Sequence, residues 1–103
     1  MAELEVYTLL VEVGRAAGDG LPEDATGAAL LCYAAGRTER QAVDETVAVL
    51  RQADLAPLEV EALGTIAERE ADGEEIGEED RALMQRALRD NAVIVAQVEV
   101  FRS

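Results

Sequence analysis

The chain of 103 residues contains no histidine, no lysine and no tryptophan, and it has one cysteine, Cys32. Without histidine it lacks the side chain that most often acts as a general base or binds zinc. A single cysteine excludes an internal disulfide and agrees with a reducing cytoplasm. Residues 1–5 carry no basic segment of the kind that opens a signal peptide. No apolar run reaches the ~18 residues needed to span a bilayer, so we expect a soluble, cytoplasmic protein without a membrane partner.

Aromatic residues are also scarce, since Tyr7, Tyr33 and Phe101 are the complete set. Half of the chain is nevertheless apolar, which is enough for one compact core and argues against disorder. That core must be built from aliphatic side chains. Because the length is also that of one ordinary domain, we expect residues 1–103 to form a single α+β domain.

Positive charge is low, because nine arginines stand against 22 acidic residues and the net charge is −13. Such a surface repels nucleic-acid phosphates and anionic membranes, which argues against a direct nucleic-acid partner. Much of the charge falls in residues 68–80, which we call the acidic edge. Its carboxylates are those of Glu68, Glu70, Asp72, Glu74, Glu75, Glu78, Glu79 and Asp80.

The hydrophobic pattern predicts four strands and two helices. The strands are expected at 3–14, 27–36, 58–67 and 92–102, and the helices at 38–53 and 78–90. The apolar run 27–36 also fits a helix. We favour a strand because Thr38 starts a helix immediately afterwards, with Gln41 three residues on as in a capping box.

The order β-β-α-β-α-β is typical of a two-layer sandwich in the ferredoxin-like style. In that arrangement both helices lie on one face of a four-stranded sheet. Residues 27–61 resemble many small ferredoxin-like domains, a resemblance that implies a fold but no function. Residues 3–14 are apolar on both parities, as in a strand that is covered on both sides. We therefore expect a partner on the free face, and a symmetric homodimer is the commonest solution.

No motif for a cofactor, a metal or catalysis stands out. The glycines lack the spacing of a phosphate-binding loop, and the acidic edge lacks that of a calcium loop. Cys32 has no neighbouring base that would make it a nucleophile. We expect no cofactor and no metal, and we favour a protein that is not an enzyme.

Three functions remain open. The first is a small acidic binding or regulatory module that self-associates through a sheet face. The second is an acidic inhibitor or immunity-type protein that mimics nucleic acid and faces a basic protein partner, using the acidic edge with Asp54, Glu59 and Glu61. The third is a small enzyme or ligand-binding protein with its site on the sheet face or at the dimer seam. Its candidate ligand-binding residues are Tyr7, Cys32, Tyr33 and Arg37.

Overall fold

We describe the fold from a computed structural model, which describes residues 3–102 of the chain. Its elements are β1 (Glu5–Gly14), β2 (Ala25–Gly36), α1 (Glu39–Gln52), β3 (Ala56–Thr65), α2 (Ile66–Ala71), α3 (Glu78–Asp90) and β4 (Val93–Arg102). The expected α+β class with a four-stranded sheet is confirmed, and residues 27–36 are a strand. Met1 and Ala2, part of the segment considered for a signal peptide, and Ser103 lie outside the described residues. Within residues 3–102 no helix is long and apolar enough to cross a membrane.

The four strands form one antiparallel sheet in the order β3-β1-β2-β4. β1 and β2 are therefore central, and β3 and β4 are the edges. The register places Leu9 opposite Cys32 and Thr8 opposite Tyr33. Because side chains alternate along a strand, Leu9 and Cys32 lie on one face of the sheet, while Thr8 and Tyr33 lie on the other.

Helices pack against both of these faces. Leu50 of α1 shares one buried cluster with Leu9, and we call this side the α1 face. Met84 of α3 shares a second buried cluster with Val6 and Tyr33, and we call this side the α3 face. The apolar residues on both parities of β1 are thus covered, at least in part, by the chain's own helices.

The prediction of a two-layer sandwich with both helices on one face is therefore wrong. β2 and β3 each run antiparallel to β1, so they are parallel to each other and α1 joins them across one face. β4 runs antiparallel to β3, and the handedness rule for parallel crossovers does not fix the face crossed by such a connection. α2 and α3 cross the opposite face, which gives three layers.

A third helix, α2, lies where the sequence predicted the end of a strand and an acidic loop. The Thr65 hydroxyl accepts a hydrogen bond from the Glu68 amide at 3.2 Å, and the Glu68 carboxylate accepts one from the Thr65 amide at 3.2 Å. This capping box starts a helix at Ile66. The alternating pattern of 58–67 had assigned Ile66 to the strand, so the predicted strand was two residues too long at this end.

Polar contacts hold α2 and α3 against the sheet. Tyr33 is 1% exposed, and its hydroxyl donates to a carboxylate oxygen of Asp80 in α3 at 2.8 Å. Arg69 of α2 donates to the Thr8 hydroxyl at 3.0 Å and pairs with Glu74 at 3.4 Å. Burial, followed by the contact with Asp80, raises the pKa of Tyr33 from 10.0 to about 12.

The loop between β1 and β2 is organised by Asp19. Its carboxylate accepts hydrogen bonds from the Arg15 guanidinium at 3.0 Å and from the amides of Ala16 at 2.9 Å and Leu21 at 3.0 Å. Arg15 also donates to the carbonyl oxygen of Ala25 at 2.6 Å, which ties the loop to the start of β2. These bonds, that from Arg15 first, lower the pKa of Asp19 from 3.8 to about 2.

The Asp19→Asn substitution should change how stability depends on acid. Because folding lowers the pKa of Asp19, its contribution to the free energy of unfolding is present above pH 3.8 and is lost as the pH falls through about 2. The variant should be less stable than the parent at neutral pH, and the difference should shrink in that acid range. Urea unfolding followed by circular dichroism at several pH values measures this.

A matched control is Asp44→Asn, since Asp44 and Arg40 form only a long, exposed ion pair at 4.0 Å. This variant should keep the acid dependence of the parent. If both variants show the same dependence, the role assigned to Asp19 is wrong.

The Tyr33→Phe substitution should destabilise the chain by about 1–2 kcal/mol, because it leaves the Asp80 carboxylate without its buried donor. Since folding raises the pKa of Tyr33, the tyrosine contributes stability below pH 10.0 that is lost as the pH rises through about 12, and the variant should lack this loss. Asp80→Asn should cost less, because an amide oxygen still accepts the hydroxyl proton. Thermal unfolding that does not distinguish Tyr33→Phe from the parent would contradict the contact.

Candidate functional site

Helices cover the α3 face at only one end. There Val6, Thr8 and Tyr33 are buried, next to α2 and α3. Towards the other end, Leu10 of β1 and Leu31 of β2 lie opposite each other and are only partly buried. The sheet therefore presents an uncovered apolar area beside a helical layer.

Two rows of side chains cross the four strands in this area, and together with Phe101 we call them the groove. From β3 to β4, the first row is Glu59, Glu12, Ala29 and Glu99, and the second is Glu61, Leu10, Leu31 and Gln97. The central strands thus supply a mainly apolar floor. The edge strands supply carboxylates on both sides, and one further carboxylate, that of Glu12, stands between them.

Phe101 stands at the outer end of the groove. It lies opposite Gly27 in the β2–β4 pairing and is 37% exposed. A Cβ atom on Gly27 would lie 2.5 Å from the carbonyl oxygen of Val13, so this position accepts only glycine. The main depression has a volume of about 390 Å³, and a neighbouring one of about 120 Å³ extends along Leu31 and Gln97.

The carboxylates of the groove are exposed to solvent. None of the ion pairs within residues 3–102 involves Glu12, Glu59, Glu61 or Glu99, and no arginine lines either depression. Glu12 and Glu59 lie directly opposite each other on adjacent strands. Like charges in that position repel each other and destabilise a sheet. A bound cation would reduce this repulsion.

The acidic edge differs from the groove, because many of its carboxylates have partners within the chain. The Glu68 carboxylate accepts from the Thr65 amide, Glu70 pairs with Arg81, Glu74 pairs with Arg69, and Asp80 accepts from Tyr33. Glu78 and Glu79 lie in the first turn of α3, where the helix dipole favours negative charge. Capping, ion pairing and the dipole therefore explain most of this segment.

The structure does not bring the four candidate ligand-binding residues to one place. Tyr7 and Cys32 lie in the core cluster of the α1 face. Tyr33 lies on the α3 face beneath α3, and Arg37 is exposed between β2 and α1. None of the four lines either depression of the groove.

Burial also raises the pKa of two of these residues, Cys32 and Tyr7. Cys32 is fully buried, and burial raises the pKa of its thiol to about 11, so little of the reactive thiolate forms. Burial is also the largest cause that raises the pKa of Tyr7. Within residues 3–102, no three His, Cys, Asp or Glu residues are grouped so that they could hold a metal ion. The groove itself offers apolar contact and negative charge.

Sequence reasoning identified Glu59 and Glu61 but missed Glu12 and Glu99. Both missed residues interrupt strands that are otherwise largely apolar. Such an interruption in a strand that must be partly buried was the available signal. Only the register of the sheet shows that these carboxylates share a face with Glu59 and Glu61.

Comparison with known proteins identifies a family. No curated protein and no solved structure matches the chain. One family model matches, described as a domain of unknown function, DUF8846, and the match runs over residues 6–102. Because this match covers almost the whole sequence, the chain belongs to the DUF8846 family.

Proposed function

We propose that the chain is a non-enzymatic, cytoplasmic binding module that takes up a basic protein partner in the groove. The proposal rests on four carboxylates around an apolar floor, none of which forms an ion pair within residues 3–102. In such an interface apolar contact supplies affinity, and complementary charge selects the partner and speeds association. The proposal keeps the basic partner considered from the sequence, but it assigns binding to the groove instead of the acidic edge.

Charge also argues against self-association through the groove. Two copies facing each other there would bring together the four carboxylates of each groove, with no arginine lining either depression. Opposed like charges cost several kcal/mol. A partner rich in arginine or lysine would meet the same surface with attraction.

A short oligo-arginine peptide tests where positive charge binds. In two-dimensional NMR spectra of the labelled protein, the largest shift changes should fall on Glu12, Ala29 and Glu99. We expect this because the groove carboxylates have no internal competitor, whereas the acidic edge is partly neutralised by Arg69 and Arg81. Shift changes centred on residues 68–80 would contradict the proposal.

Two variants with equal charge provide the control. The groove variant carries Glu12→Gln, Glu59→Gln, Glu61→Gln and Glu99→Gln. The edge variant carries Asp72→Asn, Glu75→Gln, Glu78→Gln and Glu79→Gln. The groove variant should weaken oligo-arginine binding the more strongly, by about tenfold. Equal weakening in both would show a response to net charge alone.

A homodimer remains a second proposal, now through the edge of β4 instead of a sheet face. β4 contains one acidic and one basic residue, Glu99 and Arg102, so it is an almost neutral strip on a chain of net charge −13. Its Val95 and Val98 are 41% and 51% exposed. The other edge, β3, has Pro57 and two carboxylates, Glu59 and Glu61, and proline and charge both discourage edge-to-edge association.

Sedimentation at micromolar concentration tests the homodimer. The parent should sediment at twice its mass of 11.0 kDa. Val98→Lys should give a monomer, since lysine is a common means of blocking an exposed edge. Val49→Lys, at an exposed valine of α1, should leave the dimer intact. A parent that sediments as a monomer would exclude this arrangement.

A further inference from the structure

The groove occupies a gap in a layer of helices. Sheets in α+β domains bury their apolar faces against helices. On the α1 face, Leu9, Leu30 and Cys32 are fully buried or nearly so. On the α3 face α2 and α3 stop short, and Leu10 and Leu31 stay partly exposed. The position that the fold leaves empty is therefore the position of one more helix.

The dimensions of the gap suit a helix. Strands lie about 4.8 Å apart, so the carboxylates on β3 and β4 are separated by about 14 Å. An α-helix with its side chains is about 10–12 Å across and fits between them. Residues 10–14 of β1 extend for about 17 Å along the strand, which matches a helix of about 11 residues.

The distribution of charge defines the composition of that helix. Leu10, Ala29 and Leu31 are central and call for an apolar stripe, with Phe101 at its end. Glu59 and Glu61 border one side, and Glu99 borders the other. A helix with basic residues on both flanks of its apolar stripe would meet carboxylates on both sides.

We propose that the groove receives an amphipathic basic helix from a partner protein, a helix-in-groove interaction. This rests on the proposed function and adds the form of the partner. The bound helix completes the layer begun by α2 and α3. Its basic flanks face Glu59 and Glu61 on one side and Glu99 on the other, and neutralising Glu59 removes its repulsion with the neighbouring Glu12.

Two synthetic peptides of about 14 residues test the shape of the partner. The first has leucines at helical spacing with arginines on both flanks. The second has the same composition, rearranged so that leucine and arginine alternate and the apolar stripe of a helix is lost. In fluorescence anisotropy the first should bind at least tenfold more tightly, and it should gain helical circular dichroism on binding. Equal binding, or tighter binding of the alternating peptide, would overturn the inference.

Protein variants locate the bound helix. The groove variant defined above should weaken binding of the helical peptide by about tenfold to a hundredfold, and the equally charged edge variant by less than about threefold. Phe101→Ala should weaken it several-fold, because the ring supplies apolar contact. Leu88→Ala, at an exposed leucine of α3, should leave it unchanged. Binding that is equally sensitive to the groove and edge variants would overturn the inference.

The two proposals can fail separately. If oligo-arginine maps to the groove but the helical peptide binds no better than the alternating one, the groove is a cationic-partner site and the helical form is wrong. If oligo-arginine maps to the acidic edge, the proposed function itself is wrong.

Discussion

The central hairpin of β1 and β2 must bury apolar side chains on both of its faces. In its register, Leu9 and Cys32 lie on the α1 face of the sheet, and Val6 and Tyr33 lie on the α3 face. A strand of this type needs cover from both directions. α1 supplies one cover, and α2 and α3 supply the other over part of its length. The three-layer arrangement and the location of the groove follow from this requirement.

The carboxylates of the acidic edge and those of the groove differ in their contacts. In the acidic edge, the Glu68 carboxylate accepts a hydrogen bond from the Thr65 amide at the start of α2, and Asp80 accepts one from the buried Tyr33, so both contribute to the fold. In the groove, Glu12 and Glu59 oppose each other without an ion-pair partner within residues 3–102. Local conflicts of this kind are expected at functional sites, where binding relieves them. The location of carboxylates without an ion-pair partner is thus a better guide to a binding site than the total negative charge.

Much of the secondary structure could be predicted from the sequence. Period-two and helical patterns gave four strands and two of the helices to within about two residues, because these segments are long and strongly periodic. α2 was missed, since six residues are too few for a clear helical period and its Thr65 capping box looked like the end of a strand. The face crossed by α2 and α3 was not predictable, because an antiparallel connection has no fixed handedness.

The site was harder to predict than the fold. Glu59 and Glu61 were visible as polar positions on an alternating strand. Glu12 and Glu99 are far apart in the sequence, and only the pairing of β1 with β3 and of β2 with β4 brings them into one row. Tyr33 was considered as a ligand-binding residue, whereas in the structure it holds α3 through Asp80.

The two faces of the hairpin thus differ in exposure, since Leu9 and Leu30 are buried on the α1 face while Leu10 and Leu31 are only partly buried on the α3 face. The most direct measurement is the relaxation of methyl NMR signals by a neutral, soluble gadolinium chelate. We expect strong relaxation at the methyl groups of Leu10 and Leu31 and weak relaxation at those of Leu9 and Leu30. Leu10 and Leu31 methyl groups that are as protected as that of Leu9 would contradict this expectation.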